Sequence, residues 1–272
     1  MSKPRAAAPI PPGEAMPQER QQWILQRLRS HGRVVAVELA AEFEVSEDSI
    51  RRDLRELAAQ GLCKRVYGGA LPVPVPVAVS PLKQRRVEHI GRKQALARKA
   101  ATLVRQGQVL LIDAGSTNAA IAAALPERCG LTVVTNAPDV ALALLDREGF
   151  EVQLIGGRVD PRIGGAVGAQ AVKELQRIRA DLCFPGACAL DVKGGLWGFD
   201  SEESLFKRAM VEASGETVVV VTSDKLGTVA THRVAGLAEV QHLVVERDVD
   251  KATRSAYAAR GVAVHRADVA GD

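Results

Sequence analysis

The run from Val45 to Gly69, VSEDSIRRDLRELAAQGLCKRVYGG, constrains the fold more than any other stretch of the sequence. Ser46 is expected to cap a helix, because its hydroxyl can accept a backbone N–H bond at a helix start. The apolar residues that recur at helical spacing predict one packed face: Ile50, Leu54, Leu57 and Ala58. Gly61 is typical of a helix C-terminus. Residues 62–67 then predict a short basic ribbon that turns at 68–69.

Basic side chains fall mostly outside this apolar stripe, so they stay available to a negatively charged partner. A packed helix with outward basic side chains, followed by a basic ribbon, is typical of a winged helix-turn-helix that binds a DNA duplex. Charge follows the same division, because residues 1–95 carry 16 Lys+Arg against 10 Asp+Glu and the remainder carries 20 against 22. A solvated basic surface explains the charge alone equally well. The residues expected to contact DNA are Ser46, Ser49, Arg51, Arg52, Arg55, Lys64, Arg65 and Tyr67.

The surrounding sequence predicts the limits of this module. Residues 1–16 are rich in proline and alanine and show no periodicity, which predicts a disordered leader. Residues 17–72 predict three helices and the wing, because two further helical patterns cover Pro17–Gly32 and Val35–Phe43. Alternating prolines open the next stretch, 73–91, which therefore predicts a semi-rigid linker.

The last part of the chain, 92–272, has a different pattern. A predicted helix that begins in the linker and continues into this part carries basic residues for which a solvated face is expected: Arg85, Arg86, Arg92, Lys93, Arg98 and Lys99. Short apolar runs then alternate with helical segments, at residues 109–113, 131–136, 151–157, 180–184, 217–222 and 242–246. This alternation predicts a mainly parallel sheet covered on both faces, with ligands beyond the carboxyl ends of its strands. We therefore expect an α/β protein with a small N-terminal winged helix-turn-helix.

Polar residues at the predicted strand ends indicate an anion site. In the segment Asp113–Thr117, DAGST, a glycine would let the backbone approach a ligand, while hydroxyls and helix-start amides could hold an anion. Lys207 and Lys225 could neutralise a phosphate, and Glu202 and Glu203 could bind sugar hydroxyls. Each feature also has an ordinary explanation, namely a helix cap for the turn and a salt-bridged exposed helix for the charges.

The positions of the cysteines and histidines do not match the spacing of known metal sites or catalytic sites. The four cysteines are scattered without a C-x-x-C pair, and no histidine stands with Ser or Cys in a catalytic spacing. We therefore predict no metal site, no cofactor and no catalytic residue. The sequence has no apolar run long enough to cross a membrane, and its N-terminus lacks the apolar centre of a signal peptide. A cytoplasmic protein with reduced thiols is expected.

From about residue 18 onward the chain resembles DeoR-type bacterial transcriptional regulators. In the first part the resemblance is carried by ELA-x-x-F-x-VS-x-x-S-I-RRDL at 38–54 and R-x-YGGA at 65–70. In the second part it is carried by D-x-GST at 113–117, TN at 135–136, GG at 156–157, Asp181, Gly186, E-x-x-x-K at 203–207 and SDK at 223–225. Matches of this number, in this order, are far more specific than any single motif.

The resemblance implies that the C-terminal domain has the fold of ribose-5-phosphate isomerases and binds a phosphorylated sugar or polyol as effector. The implied effector-binding residues are Asp113, Gly115, Ser116, Thr117, Thr135, Asn136, Gly156, Gly157, Gly186, Glu203, Lys207 and Lys225. The isomerases carry a D-G-A-D segment after a strand, where this chain has PGAC at 185–188. The two acid–base carboxylates are thus missing, which favours binding without turnover. The sequence also departs from the family at Asn118, Pro185 and Trp197, and Trp197 could pack in the core or stack on a ligand.

The sequence therefore predicts a repressor of a carbohydrate-metabolism operon that binds operator DNA and responds to a phosphorylated effector. A homodimer or homotetramer is expected, because one small DNA-binding module gives modest affinity. The alternative is a sugar-phosphate isomerase or deaminase with an accessory domain, in which Glu203 would be the base. A third possibility is a constitutive DNA-binding protein whose C-terminal domain binds no phosphorylated sugar.

Overall fold

The chain divides into two compact units, Met1–Val75 and Pro76–Asp272. A computed structural model describes residues 16–31, 33–60, 62–72 and 82–267. Residues 1–15 of the predicted leader, Gly32, Gly61 and residues 73–81 of the predicted linker lie outside the described residues. Within the described residues, no helix is both long enough and apolar enough to cross a membrane.

The first unit contains the three helices and the wing that the sequence predicts. Its elements in chain order are α1 (Pro17–His31), β1 (Val34–Val35), α2 (Ala36–Glu42), α3 (Glu47–Ala59), β2 (Cys63–Val66) and β3 (Gly69–Pro72). The three strands pair antiparallel in the order β1-β3-β2. Gly69 is required where β3 meets β1, because a Cβ there would lie 2.0 Å from the carbonyl oxygen of Val34.

Helix α3 is fixed at its start and along its apolar face. The Ser46 hydroxyl accepts the backbone N–H of Ser49 at 3.2 Å, which confirms the predicted N-cap. The core of the unit is a single apolar cluster formed by Ile24, Leu28, Val34, Ala36, Leu39, Ala40, Ile50, Leu54, Leu57, Cys63 and Ala70. A buried ion pair between Arg20 Nε and Asp53 Oδ2, 2.5 Å apart, joins α1 to α3.

The second unit is built around a parallel sheet. Its elements are α4 (Leu82–Val87), α5 (Ile90–Ala101), β4 (Val109–Ile112), α6 (Ser116–Ala124), β5 (Leu131–Thr135), α7 (Pro138–Leu145), β6 (Phe150–Leu154), β7 (Arg158–Asp160), β8 (Gly165–Val167), α8 (Ala169–Leu175), β9 (Ala180–Phe184), β10 (Ala189–Asp191), β11 (Gly195–Gly198), α9 (Ser201–Glu212), β12 (Ser214–Val220), β13 (His232–Ala235), β14 (His242–Val245), α10 (Lys251–Ala258) and β15 (Ala263–Arg266). Within the described residues the largest sheet has seven strands, all parallel, in the order β15-β14-β12-β9-β4-β5-β6. The predicted fold class is thereby confirmed.

Both faces of this sheet are buried, as the continuous apolar runs predict. Leu111 packs in one apolar cluster, whereas its neighbours Leu110 and Ile112 pack in the other. The same alternation separates Val219 from Val218. Because successive side chains of a strand point to opposite faces, each run supplies both cores at once.

The sequence-based linker extends too far into the second unit. Residues 82–91 were assigned to the linker, but they form α4 and the start of α5. Leu82 is buried, and it packs so closely that a Cβ at Gly164 would lie 2.3 Å from its Cδ2. This apolar anchor makes residues 82–91 part of the second unit rather than a spacer.

Candidate functional site

A cleft of about 130 Å³ lies where three neighbouring strands of the second unit end. Strands β12, β9 and β4 are adjacent in the sheet. The segments that follow them, at 220–225, 186–188 and 114–118, all contribute to the cleft wall. The carboxyl ends of parallel strands meet at one edge of a sheet, so three of the predicted strand-end motifs converge here.

One wall of the cleft is the N-terminus of α6. Gly115, Ser116 and Thr117 line it, and Gly115 is the N-cap residue with φ +142°. No side chain caps this helix start in the part of the chain that the structure describes. The first N–H groups of a helix have no intrahelical partner and carry partial positive charge. This wall therefore offers unpaired backbone donors to an anion.

Asp113 lies behind the wall rather than in it. Its carboxylate accepts the backbone N–H groups of Ala114 and Gly186, each at 2.8 Å, and so joins the end of β4 to the loop after β9. A Cβ at Gly186 would lie 2.9 Å from both Asp113 Oδ2 and the carbonyl oxygen of Ala114. The close approach of the two loops thus requires glycine at 186, where the sequence predicts a site residue.

Lys207 is the most deeply buried lysine of the cleft. Its side chain is 1% exposed, and its Nζ donates to Glu203 and lies 3.7 Å from Asp113 Oδ2. Burial disfavours the ammonium, but Cys188, Glu203 and Asp113 together outweigh it and raise the pKa of Lys207. Burial also raises the pKa of Asp113. Lys207 therefore stays charged and is already partnered before any ligand binds.

Lys225 also lines the cleft, in the short turn Ser223–Lys225 after β12. Its Nζ donates to the carbonyl oxygen of Ala187 at 2.9 Å. Burial lowers the pKa of Lys225, and the nearby cations Arg85 and Lys207 lower it further, against Cys188 and Asp224. An anion in the cleft would relieve this crowding of positive charge.

Two basic residues of α5 that the sequence predicts on a solvated face are placed differently in the structure. Lys93 is buried in the cleft wall, beside Arg85, Glu88 and His89, and burial and the Lys225 ammonium lower its pKa. Arg92 also departs from the prediction, because its guanidinium pairs with the buried carboxylate of Glu246.

A signal for Lys93 existed in the sequence. Lys93 precedes Leu96, Ala97 and Ala100 at helical spacing, and all three are buried. The lysine therefore lies on the apolar face of α5, where an ordinary solvated lysine is not expected.

Besides Asp113, four predicted effector residues lie outside the cleft lining. Asn136 supports the wall from behind, because its Oδ1 accepts the N–H of Ala114 at 3.1 Å and its Nδ2 donates to the carbonyl oxygen of Ala166. Thr135 is buried, and its hydroxyl accepts the N–H of Ala137. Gly156 donates its N–H to Glu174, and Gly157 has φ +137° beside Ala166 and Ala171.

One of the three departures from the family pattern, Asn118, lines the cleft. Asn118 joins the ends of β4 and β9, since its Nδ2 donates to the carbonyl oxygens of Asp113 (3.0 Å) and Phe184 (2.8 Å). Trp197 donates its indole N–H to Asp191 at 2.9 Å and packs over Gly194. Trp197 and Pro185 are not among the residues that line the cleft. Packing, rather than stacking on a ligand, therefore accounts for Trp197.

In the first unit, the predicted DNA-contacting residues lie at the surface of α3 and the wing. Arg51 pairs with Glu47 at 2.7 Å and Arg52 with Glu56 at 3.3 Å, all on the exposed side of α3. Exposed pairs at this spacing contribute only about 0.3–0.5 kcal/mol, so a phosphate or a base edge could replace the carboxylates. The other predicted residues are placed as follows: Ser46 and Ser49 at the start of α3, Arg55 exposed on α3, Lys64 and Arg65 exposed on β2, and Tyr67 fully exposed at the turn of the wing.

Comparison with known proteins covers both units. A family model described as the DeoR-like helix-turn-helix domain matches residues 20–73, and one described as the DeoR C terminal sensor domain matches residues 88–247. The HTH-type transcriptional regulator GlpR of Haloferax volcanii is 34% identical over 250 residues, which cover 92% of this chain and 97% of the relative. The glycerol-3-phosphate regulon repressor of Escherichia coli is 36% identical over 209 residues, 77% of this chain and 82% of the relative.

Among solved structures, the ribose 5-phosphate isomerase A of Methanocaldococcus jannaschii is 17% identical with a TM-score of 0.36. The match covers 49% of this chain and 53% of the isomerase.

Proposed function

This chain belongs to the DeoR family of DNA-binding transcriptional regulators, and we propose that it represses a carbohydrate-metabolism operon under the control of a phosphorylated sugar or polyol. The names of its relatives support this class of target, since one is a glycerol-3-phosphate regulon repressor. The effector binds in the cleft of the second unit, and the operator is bound by α3 and the wing of the first.

One observation carries the choice of effector class: the uncapped N-terminus of α6 faces a cleft that is also lined by Lys93, Lys207 and Lys225. Backbone N–H donors and convergent ammonium groups bind a phosphate dianion well. Carboxylates of Glu88, Glu203 and Asp224 line the same cleft and accept hydrogen bonds from hydroxyls. Together these groups favour a small phosphorylated polyol over an uncharged sugar.

The DNA-binding roles follow from the positions of the side chains. Ser49, Arg51 and Arg52 lie in the N-terminal half of α3, the part of a recognition helix that reaches base edges in the major groove. Lys64, Arg65 and Tyr67 of the wing, together with Arg55, bind phosphates and fix the register of the protein on the duplex. A homodimer or homotetramer engages repeated half-sites, and light scattering on the purified protein measures its size.

We also propose that the cleft binds its ligand without turnover. The candidate base of an isomerase, Glu203, is engaged by Lys207. Cys188 lies at the position where the isomerase motif has a carboxylate, and its thiol is 3.7 Å from Lys207 Nζ. A turnover assay on ribose 5-phosphate and other sugar phosphates tests this, and product formation above background would restore the enzyme alternative.

A thermal-shift screen of the purified protein tests the effector class. The panel contains phosphorylated sugars and polyols, glycerol 3-phosphate among them, with each unphosphorylated counterpart as control. A ligand at about a hundred times its dissociation constant adds about 2.7 kcal/mol to the stability of the unit that binds it. Lys225→Ala is expected to lose the shift at the ligand concentration that shifts the wild type, because its affinity is lower, whereas Lys173→Ala, an exposed lysine on α8, serves as the matched control. Silence for every phosphorylated compound would contradict the proposal.

A further inference from the structure

Lys93 connects the cleft to the first helix of the second unit. Its Nζ donates to the carbonyl oxygens of Arg85, in α4, and Glu88, just after it, the latter at 2.8 Å. Lys93 is 8% exposed, and its side chain is also part of the cleft lining. An ammonium group has three N–H donors and two are engaged by these carbonyls, so one is available to an oxygen in the cleft.

The turn that Lys93 closes joins a short helix, α4, to α5. Helix α4 has only six residues, and so short a helix is not stable by itself. The last carbonyls of a helix lack intrahelical partners and carry partial negative charge, which an ammonium group neutralises. His89 follows with φ +54°, in the left-handed region that non-glycine residues seldom adopt. The hydrogen bonds of the Lys93 ammonium therefore help to hold this turn in its conformation.

Three further contacts hold α4 on the second unit. Leu82 packs against Gly164 in the turn between β7 and β8. Arg85 donates to the carbonyl oxygen of Arg162 at 2.7 Å, and Arg86 pairs with Asp139 of α7 at 3.0 Å. Helix α4 is thus docked on fixed parts of the unit, while its C-terminal end is held by a residue of the cleft.

We propose that Lys93 is the residue through which a bound phosphorylated compound acts on α4. An oxygen of the anion accepts the third N–H of the Lys93 ammonium, which fixes that ammonium against the carbonyls of Arg85 and Glu88. The anion then binds more tightly when the Lys93 ammonium holds the turn after α4 than when these hydrogen bonds are broken. This difference in affinity shifts the equilibrium between the two conformations of the turn. Helix α4 is the described element of the second unit that is nearest in sequence to the DNA-binding unit. The inference concerns the regulation of the cleft and rests on the proposed function.

Three lysine variants separate coupling from simple binding. Lys93→Met keeps the length of the side chain and removes its donors. Lys225→Met removes a cation of the cleft that makes no hydrogen bond to α4, and Lys83→Met removes an exposed lysine of α4 outside the cleft lining. Operator affinity of each protein is measured without ligand and at saturating glycerol 3-phosphate, with glycerol as control. Its dependence on ligand concentration gives the affinity for glycerol 3-phosphate separately from the coupling.

In the wild type, saturating glycerol 3-phosphate is expected to change operator affinity by a factor of about 5–150, the usual range of such couplings. Lys225→Met is expected to bind glycerol 3-phosphate more weakly, but at saturation its operator affinity changes by the same factor as that of the wild type. Lys83→Met is expected to behave as the wild type. In Lys93→Met, operator affinity is expected to stay unchanged even at saturating glycerol 3-phosphate. A Lys93→Met protein that keeps the full factor overturns the inference and leaves the proposed function intact. A wild type that neither binds nor responds to any phosphorylated compound overturns the proposed function itself.

Hydrogen exchange on the wild type decides the point even if Lys93→Met does not fold. The amide of Glu88 donates to the carbonyl oxygen of Gln84 at 3.1 Å, and the amide of Lys93 to that of His89 at 3.0 Å. Both amides are expected to exchange more slowly when glycerol 3-phosphate is bound. Binding without any change of exchange between residues 84 and 93 would overturn the inference.

Discussion

Replacing Lys207 by methionine is expected to destabilise the second unit by about 3 kcal/mol. Removing one partner of a buried ion pair costs about 3–5 kcal/mol, because the other charge stays buried without compensation. Two carboxylates lose their cation here, but Asp113 keeps the N–H groups of Ala114 and Gly186. The Glu203 side chain is 14% exposed and can gain some hydration. Both facts place the expected loss at the lower end of that range.

Urea unfolding followed by tryptophan fluorescence measures this loss. The chain has two tryptophans, Trp23 in the first unit and Trp197 in the second, so a Trp23→Phe background restricts the signal to the second unit. In a thermal scan the loss corresponds to roughly 6–12 °C for a unit of this size. Lys173→Met, on the exposed side of α8, is the matched control and is expected to stay within about 0.5 kcal/mol of the wild type.

The pH dependence of the Lys207→Met variant provides a second check. Burial raises the pKa of Asp113, and removing the Lys207 ammonium raises it further. The folded variant then takes up a proton more readily than the unfolded chain, so the difference in stability from the wild type shrinks as pH falls. A loss below about 1 kcal/mol at neutral pH, or a loss that does not depend on pH, would refute the placement of Lys207 between two charged carboxylates.

Three further predictions concern other parts of the molecule. Arg52→Ala is expected to weaken specific operator binding by about 1–3 kcal/mol if Arg52 reads a base edge, and gel-shift titrations with specific and random duplexes at several salt concentrations measure it. Ser46→Ala removes the cap of α3 and is expected to cost about 0.5–2 kcal/mol in the unfolding of the first unit, followed by Trp23 fluorescence. Because the pKa values of Lys93 and Lys225 are lowered, affinity for glycerol 3-phosphate is expected to fall as pH rises through those lowered values, below the usual lysine value of about 10.4. Binding in that pH range should be accompanied by proton uptake, and calorimetry in buffers of different ionisation enthalpy detects it; a pH-independent affinity would contradict the placement of these lysines.

The sequence predicts correctly that several strand ends meet at one edge of the sheet, but it does not predict which of them line the cleft. Parallel strands bring their carboxyl ends to one edge whatever their order, so 113–117, 186 and 225 were expected to lie near one another. The order of the strands in the sheet cannot be predicted from the local periodicity of the sequence. In the observed order, β5 lies next to β4 and β6 one place further, so 135–136 and 156–157 all lie outside the lining. Asn136 still supports the cleft wall from behind, through its bond with Ala114.

The other elements that the sequence does not predict share a physical cause. Their local sequence is polar, although contacts distant in sequence hold them in the folded unit. Residues 82–91 look like a charged continuation of the linker, yet Leu82 alone anchors them to the second unit. Strand β15, Ala263–Arg266, was not predicted, because AVHR is short and half polar and forms an edge of the sheet. Charged side chains at an edge are compatible with a strand, but they remove the apolar signal from which strands are predicted.

The arrangement of charges supports the proposal that the cleft binds an anion in preference to an uncharged compound. Lys93 and Lys225 are held where burial and neighbouring cations lower their pKa values, so each is less favourable as a cation than it would be in water. Lys207 is satisfied by its carboxylates and adds positive charge nearby. A dianion reverses the unfavourable interaction of the first two lysines without disturbing the third. Part of the binding free energy therefore comes from relieving repulsion that the folded unit already contains, and uncharged polyols cannot obtain that part.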